Sequence, residues 1–285
     1  MRVVVTGSTG RLGRAVVDAA RAAGHPVEPL ARSEAQPCDL TDPAEVHRRI
    51  TTFRADLVVH AAGATDVDAC ERDPDDAVRR NVDATRHVAE AASAIDAHLV
   101  YVSTNHVFDG TADRPYREDD PPSPPSVYGS TKLAGERLLD ASATVVRTAW
   151  LTGADGRGVV GAILAAASTG DPMRFVIDEV AQPTFATDLA PVLLRLGEQR
   201  HAGCIHATGE DAVSSCELAR EVLTAIGDDP DRVEPITADE LAGRVARRPR
   251  NGVLDGTRLV ATLGHGLPDH RTSLADLLLR LRPGS

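Results

Sequence analysis

Residues 1–13 read MRVVVTGSTGRLG, a short β-branched run followed by a turn that carries Gly7, Gly10 and Gly13. Three valines in succession suit a strand covered by helices on both faces of a parallel sheet. The glycines permit a tight turn and a close backbone approach, and the amphipathic stretch after them presents its first free amides to that turn. Strand, glycine turn and helix in this order form the first unit of a doubly wound α/β fold that binds a dinucleotide at the turn. The spacing is GxxGxxG rather than GxGxxG, so the order of elements carries the inference more than the spacing does.

The alternation continues to about residue 150. We expect strands over 2–6, 27–30, 56–60, 98–103 and 143–147, with helices over 12–23, 43–53, 74–94 and 127–139. Beyond residue 153 the rhythm loosens into helices over 159–168, 187–199, 215–226 and 273–281 and strands over 173–177 and 203–207. The expected architecture is a doubly wound, Rossmann-like parallel sheet with right-handed crossovers. A dinucleotide-binding domain is expected over 1–153. A smaller lobe over 154–285 is expected to bind mainly substrate, with some segments returning to the sheet. Residues 108–126 break the pattern: FDGTADRPYREDDPPSPPS reads as a functional lid or a disordered insert.

Composition narrows the function. Of 285 residues, 42% are hydrophobic and 26% charged, which fits a soluble globular protein. A net charge of −11 argues against a general partner of nucleic acid or anionic membrane and leaves a small molecule as the expected partner. Cys38, Cys70, Cys204 and Cys216 form no CxxC pair, so neither a disulfide framework nor a metal site is expected. The N-terminus lacks a signal-peptide layout and no apolar run approaches the ~18 residues that span a bilayer, so a cytoplasmic location is expected. All but one of the 31 basic side chains are arginine, and the exception is Lys132.

The end of the second strand separates NAD from NADP binders: a carboxylate there holds the ribose 2′-hydroxyl, whereas an arginine accommodates a 2′-phosphate. Here Arg32-Ser33 follows the strand and Arg11 lies in the glycine turn, which points to NADPH, with NAD as the alternative. The competing reading of Arg32 is a solvated side chain. Asp39-Leu40 stands at the next strand-to-helix junction, as an adenine contact or as part of ordinary capping with Thr41 and Asp42. The candidate cofactor set from these motifs is Gly7, Thr9, Gly10, Arg11, Leu12, Gly13, Arg32, Asp39 and Leu40.

Tyr128-Gly-Ser-Thr-Lys132 opens a helix, and an i, i+4 pair shares one helical face. A phenol has a pKa of about 10, and a nearby ammonium favours the phenolate, so Lys132 is expected to bring Tyr128 toward a useful range. Ser103 and Thr104 end the fourth strand, where α/β folds place ligands, and either hydroxyl can bond a substrate carbonyl. A lone YxxxK is a weak signal. The glycine turn, the strand-end hydroxyl and YxxxK in that order are a strong one.

Together these motifs resemble the extended short-chain dehydrogenase/reductase superfamily, and within it the dTDP-4-dehydrorhamnose reductase family. The likeness runs through VTGSTGRLG, DLTD, HAAGATDVDACE, NVDAT, YVSTNHVFDGT, VYGSTKLAGE, VVRTAWLTG, DEVAQPTFATDLA and RPRNGVLD. It implies NAD(P)H-dependent reduction of the 4-keto group of a nucleotide-linked 6-deoxyhexose, with Thr104, Tyr128 and Lys132 as the catalytic set. It further implies that Asn81 supports the lysine and that Ala61, Ala62 and Gly63 line the cofactor, with Tyr128 and Lys132 also touching it. Thr65, Val67, Ser103, Asn105, His106 and Trp150 would face the sugar, Trp150 as pocket wall or as core. A homodimer is compatible with the likeness.

Two departures fall on the substrate side. The family's S-T-D-Y reads Ser103-Thr104-Asn105-His106 here, and its D-Q-x-G-x-P-T reads Asp178-Glu179-Val180-Ala181-Gln182-Pro183-Thr184. A dehydratase would carry an Asp-Glu pair after the threonine, so elimination is disfavoured. An epimerase uses the same Tyr and Lys, and a relative of the family serves as a regulatory subunit of methionine adenosyltransferase. For a diphosphate, the densest cations are Arg244, Arg247, Arg248 and Arg250, whose competing reading is a solvated face. Arg147 is expected to be buried and paired.

Overall fold

Val3, Val4 and Val5 are fully buried in the computed structural model, which describes residues 1–281. They belong to β1 (Val3–Thr6), followed by α1 (Arg11–Ala22), β2 (Val27–Leu30), α2 (Pro43–Phe53), β3 (Leu57–His60), α3 (Val67–Arg72), α4 (Pro74–Val78), α5 (Ala84–Ser93), β4 (His98–Thr104), α6 (Val127–Arg137) and β5 (Thr144–Thr148). The second half runs β6 (Leu151–Thr152), α7 (Val159–Ala167), β7 (Met173–Val176), β8 (Val180–Ala181), β9 (Thr184–Phe185), α8 (Ala186–Glu198), β10 (Gly203–His206), β11 (Val213–Ser214), α9 (Ser215–Ile226), β12 (Val233–Ile236), α10 (Thr257–Leu263) and α11 (His270–Leu281).

The main sheet has the order β10-β5-β4-β3-β1-β2, and every pairing in it is parallel. Because β2 lies on one side of β1 and β3 on the other, the strand order reverses at β1, and the crevice beyond the strand C-termini opens there. Apolar residues of α1 and α8 cover one face of the sheet, and those of α2 and α5 cover the other. A separate core lies in the C-terminal half, built from Val160, Ile163, Met173, Leu218, Val222 and Leu277 among others. Among the described residues, no helix is long and apolar enough to cross a membrane.

The expected helix over 74–94 is three pieces. Between α4 and α5 the residues Arg79–Asp83 form a π-helical turn, which hides inside unbroken apolar periodicity because it adds only one residue to a turn. Helices α3 and α10 and the two-residue strands are further additions. The two-residue strands are set by pairing with distant segments rather than by local pattern, whereas α3 starts at its own cap, Asp66.

Residues 108–126 form neither a lid nor a disordered insert. Phe108 is fully buried and stacks on Tyr116 with ring centroids 4.3 Å apart. The Tyr116 amide donates to the Val253 carbonyl at 2.8 Å, the Asp255 amide donates to the Tyr116 carbonyl at 2.7 Å, and the His206 amide donates to the Glu118 carboxylate at 2.9 Å. Two buried aromatic rings thus fasten a segment whose composition is otherwise that of a mobile loop.

Candidate active site

A cavity of about 820 Å3 lies at the C-terminal ends of the central strands. All the residues assigned from sequence to the catalytic set, the cofactor or the sugar line it, except Asn81. Arg79, Arg80, Thr148 and Arg157 line it as well, and no sequence signal marked them.

The glycine turn is built for close backbone contact. Gly7 has φ +67°, and a Cβ on it would lie 2.9 Å from the Ala62 backbone. A Cβ on Gly13 would lie 2.1 Å from the Gly7 carbonyl oxygen, so helix and turn could not approach as they do. Gly10 is the N-cap of α1 and supplies no side-chain cap, which leaves first-turn amides open to a ligand. A pyrophosphate fits this donor set.

After β2 the first acid along the chain, Glu34, accepts a hydrogen bond from the Ser8 hydroxyl at 2.6 Å. Arg32 is exposed at the cavity rim, and Ser33 meets Thr9 hydroxyl to hydroxyl at 2.8 Å. Asp39 accepts from the Thr41 amide at 3.0 Å and the Thr41 hydroxyl at 2.9 Å, and the Thr41 amide, with Arg32 and Arg79 adding, holds its carboxyl below the usual range. The cap of α2 is Asp42, not Asp39. Asp39 is therefore both a turn residue and part of the cavity wall. Arg11 donates to the Thr65 hydroxyl at 3.4 Å across the cavity mouth.

Asn81 stands behind the wall. Its side chain accepts from the Ala64 amide at 2.7 Å and donates to the Ala64 carbonyl at 3.1 Å and to the Thr131 hydroxyl at 3.0 Å. It ties the loop after β3 to α6, one helical position from Lys132.

Tyr128, Lys132 and Thr104 are all buried and share the cavity. Burial pushes the Tyr128 phenol up, with the Thr104 hydroxyl beside it acting in the opposite direction. The expected lowering by Lys132 is not found: burial raises the phenol, and the groups that act against it are Thr104 and Arg11. Lys132 is pushed down to about 7 by burial, partly offset by Glu136. Its Nζ makes no hydrogen bond or ion pair with the described residues. The Thr104 hydroxyl donates to Asn105 Oδ1 at 3.3 Å and accepts from the His106 amide at 3.2 Å.

Two of the residues assigned to the sugar are engaged elsewhere. Ser103 lines the cavity, yet its hydroxyl donates to Glu136 at 2.5 Å, and Glu136 pairs with Arg147 at 2.7 Å in a salt bridge whose side chains are 7% and 6% exposed. Asn105 Nδ2 donates to the Gly252 carbonyl at 3.0 Å, so this amide fastens β4 to the C-terminal segment. The His106 ring meets the Tyr128 ring edge-on at 5.3 Å. Burial first, then Arg248 and Arg244, push its imidazole down to about 4, so it is neutral at physiological pH. Val67 packs beside Tyr128, and Thr65 is exposed. Trp150 is half-buried with φ +39° and packs on the C-terminal core, so it serves as wall and core at once.

The arginine cluster is paired. Arg244 meets Glu179 at 2.5 Å, Arg248 meets Asp68 at 2.7 Å, and Arg250 meets Asp178 and Asp239. None of them lines the cavity, and among the described residues Arg247 alone of the four has no carboxylate partner. Their expected service to a diphosphate gives way to a structural role.

Comparison with known proteins follows the same direction. The family profile described as RmlD substrate binding domain matches residues 1–282. A dTDP-4-dehydrorhamnose reductase of Streptomyces griseus is 39% identical over 284 residues, covering 96% of this chain and 92% of that protein. The crystal structure of a dTDP-4-dehydrorhamnose reductase from Bacillus anthracis in complex with NADP has a TM-score of 0.92 at 27% identity and covers 98% of both chains. Methionine adenosyltransferase 2 subunit beta of Bos taurus is 36% identical over 284 residues, covering 93% of this chain and 83% of that protein.

Proposed function

The chain belongs to the dTDP-4-dehydrorhamnose reductase family of extended short-chain dehydrogenases/reductases, and from that premise we propose that it reduces the 4-keto group of a nucleotide-linked 4-keto-6-deoxyhexose with NADPH. The observation that carries the reading is the sharing of one cavity by the glycine turn and by Thr104, Tyr128 and Lys132. Open amides at the start of α1 and the exposed Arg32, with Glu34 held by Ser8, support a 2′-phosphorylated dinucleotide. Trp150, Leu151 and Val159 close the cavity from the second half of the chain, which supports placing the sugar between the two halves.

When bound, the dihydronicotinamide supplies hydride to the keto carbon. Tyr128 then gives its proton to the oxygen on which negative charge grows. A buried phenol with a raised pKa keeps that proton at neutral pH until the alkoxide forms, which suits a general acid. Thr104 Oγ1 donates a second hydrogen bond to the same oxygen. Lys132, when charged, stabilises the phenolate left behind.

We expect oxidation of NADPH with one or more of the dTDP-, UDP- and GDP-linked 4-keto-6-deoxyhexoses, followed by loss of reduced-nicotinamide absorbance. Tyr128→Phe should lower turnover by about 10²–10⁴-fold, the share of a general acid. A variant that kept most of its turnover would remove Tyr128 from this role. The similarity to the methionine adenosyltransferase subunit favours a second reading, a cofactor-binding partner protein. Failure with every ketone, together with co-purification of a synthetase, would select it.

A further inference from the structure

Lys132 Nζ lies 4.1 Å from the centroid of the Tyr101 ring, well inside the range of a cation–π contact. Tyr101 is fully buried on β4, and its hydroxyl donates to the Lys132 main-chain carbonyl at 3.3 Å. One side chain therefore meets the lysine at both ends, the ring at the ammonium and the phenol at the backbone. The seat is made by a missing side chain: a Cβ on Gly135 of α6 would lie 2.4 Å from Tyr101 Oη. On its other side Tyr101 stands against the His60 ring, with centroids 5.5 Å apart.

We propose that Tyr101 is a positioning residue for Lys132, holding its ammonium over the ring face and its backbone by the phenol. The other groups facing Lys132 leave this job to Tyr101. Glu136, on the same helix, is paired with Arg147 of β5. His60 of β3 is pushed down to about 3 by burial, with Lys132 adding to it, and carries no charge to oppose or attract the ammonium. Asn81 faces the Ala64 main chain and Thr131. In a site where burial drives Lys132 toward its neutral form and the pull of Glu136 offsets only part of that, the ring face of Tyr101 is the group in direct contact with Nζ that favours the charged form.

The proposal rests on reading Lys132 as the lysine of the reaction, but its test requires no substrate, so the two can fail separately. The chain has a single lysine, so protein grown with 13C-labelled lysine yields one Cε resonance that reports the titration of Lys132 directly. Tyr101→Leu removes the ring and should lower the titration midpoint by about one pH unit. Tyr101→Phe keeps the ring and should leave the midpoint near that of the parent protein. An unchanged or raised midpoint in Tyr101→Leu overturns the proposal. If that variant does not fold, phenylalanines of increasing fluorination at position 101 keep the shape while weakening the ring face. The midpoint should fall stepwise along that series, and a flat series overturns the proposal equally.

Discussion

Lys132 is 4% exposed, and its slot is shaped for a compact ammonium over an aromatic ring. A guanidinium is planar, wider and directs its donors in a fixed fork. Lys132→Arg keeps the charge but not the position, and displacement by about 1 Å costs on the order of 10²-fold in rate. We expect that loss in kcat at saturating NADPH, and retention of near-parental kcat would show that charge alone suffices. Arg32 makes the opposite kind of prediction, one of selectivity. A charge-assisted bond to a 2′-phosphate contributes about 1.5–3 kcal/mol, so Arg32→Ala should weaken NADPH roughly 10–100-fold and leave NADH nearly unchanged. Equal loss for both cofactors would place the arginine elsewhere. These residues were readable from sequence because their neighbours in the motif are also their neighbours in space. The hydrogen bonds of Asn105 and Ser103 are not legible in sequence for the converse reason: their partners, Gly252 and Glu136, lie far along the chain.

Helix α3 shows how a short element that the sequence pattern does not reveal can govern a site. Asp68 accepts from the Val245 and Ala246 amides at 3.0 and 2.9 Å and pairs with Arg248, so this carboxylate pins the segment after β12 beside Val67. Arg248, assisted by the two amides, holds the Asp68 carboxyl well below the usual range around 3.8. A depressed folded-state pKa means that the stabilisation is complete above the unfolded value, begins to fade there as pH falls, and is lost as pH passes through the lower folded-state value. Asp68→Ala should therefore destabilise the protein by about 1–3 kcal/mol near neutrality. Its difference from the parent should shrink as pH drops below about 4. Denaturant unfolding at several pH values checks this, and a difference that is constant down to acid pH would contradict the pairing. By contrast, α2 and α9 match the ranges read from sequence, because each begins at an N-cap residue, Asp42 and Ser214, ahead of an amphipathic run. The π-helical turn at Arg79–Asp83 has no such local mark.

Residue 153 looks like a boundary in sequence, yet the hydrophobic core crosses it. Leu189, Val192, Leu193, Leu194 and Leu196 of α8 are buried in the same cluster as Val3, Val5 and Val16. The packing is tight enough that a Cβ on Gly197 would lie 2.5 Å from the Leu57 side chain of β3. β10 completes the sheet beside β5. Exposing five such side chains costs roughly 8–15 kcal/mol at about 1.5–3 kcal/mol each, as much as the whole stability of an ordinary domain, about 5–15 kcal/mol. We therefore expect the two halves to fold as one unit, even though the glycine turn and YxxxK all lie before residue 153. A fragment of residues 1–153 should lack a cooperative thermal transition, bind an apolar dye at the bare face of its sheet and show collapsed amide dispersion. If it melted sharply and bound NADPH on its own, α8 would be a covering that the fold can do without, and the chain would divide where its sequence rhythm changes.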